Sequence, residues 1–419
     1  MSTTKRILAL SFIFVCTAAA WMVLGGTIFT RTYGVDDSLR SRVSSTWGTP
    51  QIQGPPGASY KHEVRVKRDV VEYGHPKAIV EIVSENVPLP LVSTRANVGL
   101  ELDHRQKGLL WYSTYKVAFA GEYTFENNSG GDQEVTFSFP LPAEKAIYDN
   151  VTFSLDGRPV EFTNQGNAAA ASAHLESGKT AVLKVGYASQ GMDRWNYQFG
   201  NEVTHVRDLK LAMSTNFKDI DFPDNTMSPS DKHETADGWQ LEWNYKDLLA
   251  GYQIGMIMPE KLQPGPLAGR ISFFAPVSLF FFFFLVFIIT TIRGVDLHPM
   301  NYFFLAAAFF AFHLLMAYLV DHFSIHWSFF VSAIVSLALV ISYMRLVTGP
   351  RFALVECGLA QLVYLVLFSY AFFFKGFTGL AVTIGSIITL FVVMQMTGRI
   401  NWSEKFARPA VAPPPMPVR

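Results

Sequence analysis

Five apolar runs crowd the last third of this 419-residue chain, at about 273–292, 302–320, 328–347, 352–374 and 377–397, and a sixth lies at 7–30. Each is close to the roughly 20 residues of helix that cross a hydrocarbon core. Lipid offers no water to unpaired backbone groups, so a chain that enters it must do so as helices or as a closed barrel. A buried helix of a water-soluble domain explains any one run, but not five in succession separated by short turns. The fold class this predicts is a membrane α-helical bundle of six transmembrane helices. Composition agrees, with 50% hydrophobic and 16% charged residues. The net charge of zero gives no electrostatic footprint for nucleic acid.

Between the first and second runs the chain is a different material. Residues 31–272 carry 24 lysines and arginines against 30 aspartates and glutamates, a mildly acidic balance. Orientation follows from the basic residues of the short segments, which stay on the cytoplasmic side. Lys5, Arg6, Arg293, Arg345, Arg351, Arg399, Lys405, Arg408 and Arg419 fall on one side, and only Lys375 on the other. Both termini are therefore expected inside and residues 31–272 outside. The resulting organisation is an N-terminal anchor (1–30), an outer domain (31–272), a five-helix bundle (273–397) and a Pro-rich tail (398–419) with no packed core. The first run begins like a cleavable signal peptide, with basic residues ahead of an apolar stretch and small residues at 17–20. It continues apolar through Trp21–Leu24, which favours a retained anchor. The two cysteines, Cys16 and Cys357, both sit in apolar runs, so no disulfide is expected in the outer domain.

The outer domain reads as β-structure. Val135, Phe137 and Phe139 alternate with Thr136 and Ser138, the period of a half-buried strand. The run 115–125 repeats the pattern, and the Asn/Ser/Gly loop 127–132 between them suggests that the two pair as a hairpin. Val151, Phe153 and Leu155 lead into Asp156-Gly157, a tight-turn dipeptide, and segments 160–162, 174–176, 180–187, 238–245 and 252–259 continue the series. Short strands at such intervals predict an all-β, sandwich-like domain. A short amphipathic helix is expected at 36–43, Gly54-Pro55-Pro56-Gly57 breaks any element, and 219–237 reads as a loop.

Candidate sites are few. Leu319–Trp327 holds Asp321, His322 and His326; two histidines four apart beside an acid suit zinc only on one helical face with a third ligand, whereas here they straddle an expected turn. Trp327 fits an interfacial belt. Asp321 and His322 can pair, the carboxylate orienting the imidazole, and this pair is expected to fix the turn against the outer domain. His298-Pro299 suits a helix start, with Pro299 in the first turn. His313 and Glu356 are ionisable groups inside apolar runs, which are costly and often functional. Glu356 is expected to reach the interface or to pair with Arg351, and His313 to be neutral and hydrogen-bonded to a neighbour. A phosphate-cradling glycine loop, a GxSxG nucleophile turn and paired metal cysteines are all absent from the sequence.

The segment RGVDLHPMNYFFLAAAFFAFHLLMAYLVDHFSIHW, Arg293–Trp327, resembles the CreD family of bacterial inner-membrane proteins. His298, Pro299, Tyr302, Phe312, Leu314, Asp321, His322 and Trp327 stand at its matching positions, as do the exit TGRINW, the Trp47-Gly48…Gln51 stretch with Arg42 and Gly54-Pro55, and 214–245. Almost nothing matches between Pro56 and Gln198, and the family has an amide at His326 and an aromatic ring at His313. The resemblance implies an inner-membrane location with a periplasmic domain, and a role in envelope integrity and stress response, including β-lactam response and colicin tolerance. It brings no enzymatic mechanism and no cofactor. The expectation is thus a non-enzymatic envelope protein surrounded by the lipid bilayer, with an envelope protein or cell-wall-related partner. The alternative is a small transporter or channel lined by His313, Glu356, Gln361 and Gln395.

Overall fold

A computed structural model describes residues 3–400 apart from 35, 73, 74, 109, 201, 375 and 399. Lys375, Arg399 and the tail from Asn401, with Trp402 and the prolines, lie outside the described residues. The chain divides into a helical unit, built mainly from the described residues up to Asp37 and from Leu262 onward, and a β unit spanning most of 38–261.

In the helical unit, α1 covers Thr3–Tyr33 and α2, Asp36–Trp47, leads into the β unit. After the β unit come α3 (Pro264–Arg293), α4 (Pro299–Leu319), α5 (Ile325–Thr348), α6 (Phe352–Phe373) and α7 (Thr378–Thr397). With α1, these make six helices among the described residues long and apolar enough to cross a membrane. α3 starts well ahead of the apolar run at 273, because Pro264 and Pro266 fit its first turn. It stops at Gly294, whose left-handed backbone (φ 69°) lets the cap N–H reach Thr290 O. α6 is not a regular α-helix: Phe352–Cys357 and Leu362–Leu367 are π-helical.

α1 and α3 approach closely because α3 begins with two glycines four apart. A Cβ on Gly265 would come within 2.7 Å of Thr32 Oγ1, and one on Gly269 within 3.4 Å of Phe29 and Ile28 side chains. This small-xxx-small spacing is a common solution where lipid removes the hydrophobic drive between helices. Trp21 of α1 is fully buried, with its ring edge-on to Phe310 and His313 of α4.

The β unit contains β1 (Gln51–Gln53), β2 (Gly57–Glu72), β3 (His75–Pro88), β4 (Leu91–Leu102), β5 (Arg105–Lys107), β6 (Leu110–Tyr112), β7 (Thr114–Glu126), β8 (Gln133–Pro140) and β9 (Tyr148–Leu155). It continues with β10 (Arg158–Pro159), β11 (Thr163–Gln165), β12 (Ala168–Leu175), β13 (Thr180–Met192), β14 (Arg194–Tyr197), β15 (Thr204–Thr215), β16 (Asp231–Glu234), β17 (Trp239–Ala250) and β18 (Ile254–Ile257). An eight-stranded sheet runs β10-β9-β13-β7-β4-β15-β17-β16, a five-stranded sheet β11-β12-β8-β2-β3, and a small sheet β1-β14-β18. One apolar cluster joins all three. Phe125 of β7 meets Phe137 of β8 at 5.7 Å between ring centroids, and Phe119 meets Phe139 at 6.0 Å.

That contact corrects the expected hairpin. β7 and β8 do not pair; each buries its apolar side toward the other from a different sheet. The 127–132 loop arches between the sheets, and buried Asn127 holds it by donating to Gly131, Leu175 and Glu176 carbonyls. Asp156-Gly157 does form the tight turn, with φ of 48° and 78°. Residues 160–162 fall between β10 and β11 rather than in a strand, and 219–237 contains the short exposed edge strand β16.

Five tyrosines pack in or beside this core. Tyr123 and Tyr197 share a hydroxyl contact of 3.2 Å, Tyr115 donates to Arg194 O, and Tyr187 donates to Gln53 Oε1. Burial, the largest cause in each case, raises the phenols of Tyr115, Tyr123, Tyr187 and Tyr197, and pushes Tyr148 up to about 12. Above pH 10 the unfolded chain releases protons that these buried phenols keep, so stability is lost as pH rises from about 10 through the folded values. Alkaline titration followed by tyrosinate absorbance should show a late group of phenols that ionise only together with loss of near-ultraviolet circular dichroism.

Candidate functional site

The Asp321 turn is tied to α1. Arg31, in the last turn of α1, donates to both carboxylate oxygens of Asp321 at 3.1 and 3.2 Å and to Ala317 O at 3.2 Å, with its guanidinium 5.8 Å from the Tyr318 ring. The carboxylate thus engages Arg31 and not the neighbouring imidazole; His322 is exposed. His326 lies tilted against Phe373, with ring centroids 5.1 Å apart, and Trp327 stands exposed beside Phe330. No cluster of three or more metal-ligating side chains occurs among the described residues.

At the other end of α1, Arg6 reaches the hydroxyls of Thr290 and Tyr302, both at 3.4 Å, and lies 3.7 Å from Asp296. Tyr302 is buried and edge-on to Phe283. His298 Nδ1 accepts from Met300 N at 3.3 Å and Pro299 takes the first turn, so this dipeptide starts α4. Two arginines a helix apart therefore clamp α1 onto α3 and α4, a pairing that spacing in the sequence could not reveal.

The polar groups of the apolar runs are not gathered into one path. His313 Nδ1 shares a hydrogen bond with Phe309 O at 3.0 Å, and its Nε2 is buried without a partner among the described residues. Gln361 donates to Ser336 Oγ, which donates to Ala308 O. Gln395 is exposed on α7. Glu356 stands apart from these: it pairs at 2.5 Å with Arg293, in the last turn of α3, and not with Arg351.

In the β unit, Trp47, Gly48 and Gln51 form a junction. Arg105 stacks on Trp47 at 3.9 Å. Gly48 has φ 103°, and a Cβ there would lie 2.2 Å from Gln190 O. Gln51 is fully buried and donates to Ser189 Oγ and Gln190 O, both at 2.9 Å. This seats the end of α2 against β13, so these three residues position a chain entry. The outward face of the eight-stranded sheet offers something different. Ala188, Ala118, Gly99 and Ser214 stand in one cross-strand row over four strands, and Ala120, Asn97 and Ala212 in the next. Their small side chains leave adjoining depressions of about 800 and 350 Å³, rimmed by Lys116, Glu101, Gln190, Asn216 and Ile147, the last 73% exposed. Sequence reading missed this face, since its signal is small residues aligned between strands distant in the chain.

Residues 266–403 match the family of the inner membrane protein CreD. The match takes in the α3–α7 part of the helical unit and leaves the β unit outside it. A search of curated proteins finds no match. Among solved structures, a putative nutrient binding protein from Legionella pneumophila is similar at 9% identity, covering 54% of this chain and 76% of that one, with TM-score 0.33. An M1 zinc metallopeptidase from Deinococcus radiodurans is similar at 8% identity over 40% of this chain and 42% of that one, with TM-score 0.24. Likenesses this distant bear on neither fold nor function.

Two outcomes check these contacts. Asp321→Arg alone should lower the thermal midpoint of the detergent-solubilised protein, and adding Arg31→Asp should recover it, with a coupling of about 0.5–1 kcal/mol because both side chains are partly exposed. Gly48→Ala should cost more than about 1 kcal/mol in urea unfolding followed by tryptophan fluorescence, since neither its backbone angle nor Gln190 O accommodates a methyl group.

Proposed function

We propose that this chain is a non-enzymatic envelope protein of the inner membrane, with both termini cytoplasmic and a sandwich-like periplasmic β unit. It acts in envelope integrity and stress response, including the β-lactam response and colicin tolerance, by binding an envelope or cell-wall-related partner on that unit. The family match supports the membrane setting. The observation that carries partner binding is the trough on the outward face of the eight-stranded sheet: a broad concave surface floored by small side chains, with both charges of a Lys116–Glu101 pair at its rim. Burial of Trp21 and the two arginine clamps support reading α1 as a retained anchor.

The test uses the full-length protein in cells, with a photoreactive amino acid replacing Ala118 or Ile147 in the trough, or Lys232 on the exposed edge strand β16 as control. A discrete envelope partner should be captured from the two trough positions and not from the control. Equal capture from all three positions, or capture of lipid alone from the trough, would count against this reading.

A further inference from the structure

The α3–α6–α7 cleft combines an apolar wall with one charged end. It holds about 640 Å³ and is lined by Phe281 and Leu285 of α3, Leu359 and Val363 of α6, and Val382 and Ile388 of α7. Its lining runs along α6 from Glu356 to Ala371, about 20 Å at 1.5 Å per residue. That exceeds the ~15 Å of one leaflet of hydrocarbon, enough for one extended acyl chain. α7 encloses the cleft only loosely, burying just Thr389 and Val393 of its twenty residues.

The charged end is chemically unfinished. Glu356 is 9% exposed, and one of its oxygens pairs with Arg293. Its other oxygen is buried and has no hydrogen-bond partner among the described residues. An unpaired carboxylate oxygen at such a site is costly and calls for a cationic donor. Arg293 is half exposed, and its guanidinium carries five N–H donors, more than the contact with one Glu356 oxygen uses. Cation and anion stand side by side at the mouth of a greasy slot, Arg293 at the end of α3 and Glu356 in the first π-helical segment of α6.

We infer that this end of the cleft is a headgroup site for a phospholipid bearing a primary ammonium, one acyl chain of which lies in the cleft. The phosphate meets Arg293 and the ammonium donates to the free oxygen of Glu356. The neutral ion pair matches a zwitterion better than an anionic headgroup: the ammonium brings a charged donor to the free carboxylate oxygen, whereas a glycerol headgroup brings only uncharged hydroxyls.

Native mass spectrometry of the full-length protein tests this, with the protein exchanged into micelles containing equal amounts of phosphatidylethanolamine, phosphatidylcholine and phosphatidylglycerol. Phosphatidylethanolamine adducts should exceed either competitor by about tenfold, the scale of one charge-assisted hydrogen bond. Phosphatidylcholine shares the charge but lacks the N–H donor. Glu356→Gln should abolish the preference. Gly385→Leu, at a lining position where a new Cβ meets no neighbour, should reduce retention of all three lipids while leaving the Arg293–Glu356 pair intact. Equal retention of the three lipids by the unmodified protein would overturn the assignment. So would a preference for phosphatidylglycerol, or one for phosphatidylethanolamine that survives Glu356→Gln. Should Glu356→Gln fail to fold, the lipid ranking of the unmodified protein and of Gly385→Leu still decides the question. None of these outcomes depends on what binds the β unit.

Discussion

Hydrocarbon gives apolar helices no reason to prefer each other over lipid, and the helical unit is organised around that constraint. Its cohesion must come from close packing and from polar contacts placed where lipid cannot compete. Gly265 and Gly269 supply the first, letting α3 approach α1 at side-chain distance. Arg6 and Arg31 supply the second, one near each end of α1, where their charges can stay close to water while their hydrogen bonds reach Tyr302 and Asp321. Each such contact is worth only about 1 kcal/mol, so neither end suffices alone. α1 is held by the sum of two weak clamps and a packed middle centred on Trp21.

The β unit meets the opposite problem, since its apolar drive is ample and its buried polar groups must be satisfied. The solution is a set of side chains that are polar at one end only. Tyrosines 115, 123, 187 and 197 bury their rings in the inter-sheet core and spend their hydroxyls on a carbonyl, on each other or on Gln53. Gln51 and Gln53, both fully buried, bridge β1 to β13 and to Pro140. Sheet order explains why this cluster sits where it does: β14 lies between β1 and β18, carrying Trp195 and Tyr197 into the shared core.

Much of the helical unit was legible because helix length and hydropathy are local properties, and His298-Pro299 marks the start of α4 unaided. Strands with clean alternation, such as β8, were equally plain. The ribbon β2–β3 was not, because Lys61, Glu63, Arg65 and Lys67 alternate with valines in a strand that is mostly exposed, so no apolar face announces it. Pairing partners were the least readable level. β7 and β8 are adjacent in sequence with a hairpin-like loop, yet belong to different sheets, and only long-range packing of Phe125 on Phe137 decides that. Of the candidate residues, Asp321, Tyr302 and Glu356 were identifiable as unusual. Their partners Arg31, Arg6 and Arg293 were not, since two of those pairings span most of the chain.

The distance along the chain between α1 and its partners also sets an order of events at synthesis. α1 ends at Tyr33 and α3 begins at Pro264, so at ordinary translation rates roughly 10 to 50 s separate the synthesis of α1 from that of the surface that receives it. During that interval Trp21, Arg6 and Arg31 are without the side chains from α3 onward that later pack on or bond to them. A first helix on this schedule would have to be tolerable on its own in lipid and yet able to exchange those lipids for α3 and α4 later, and strong apolarity along its length with basic residues only near its ends meets both demands.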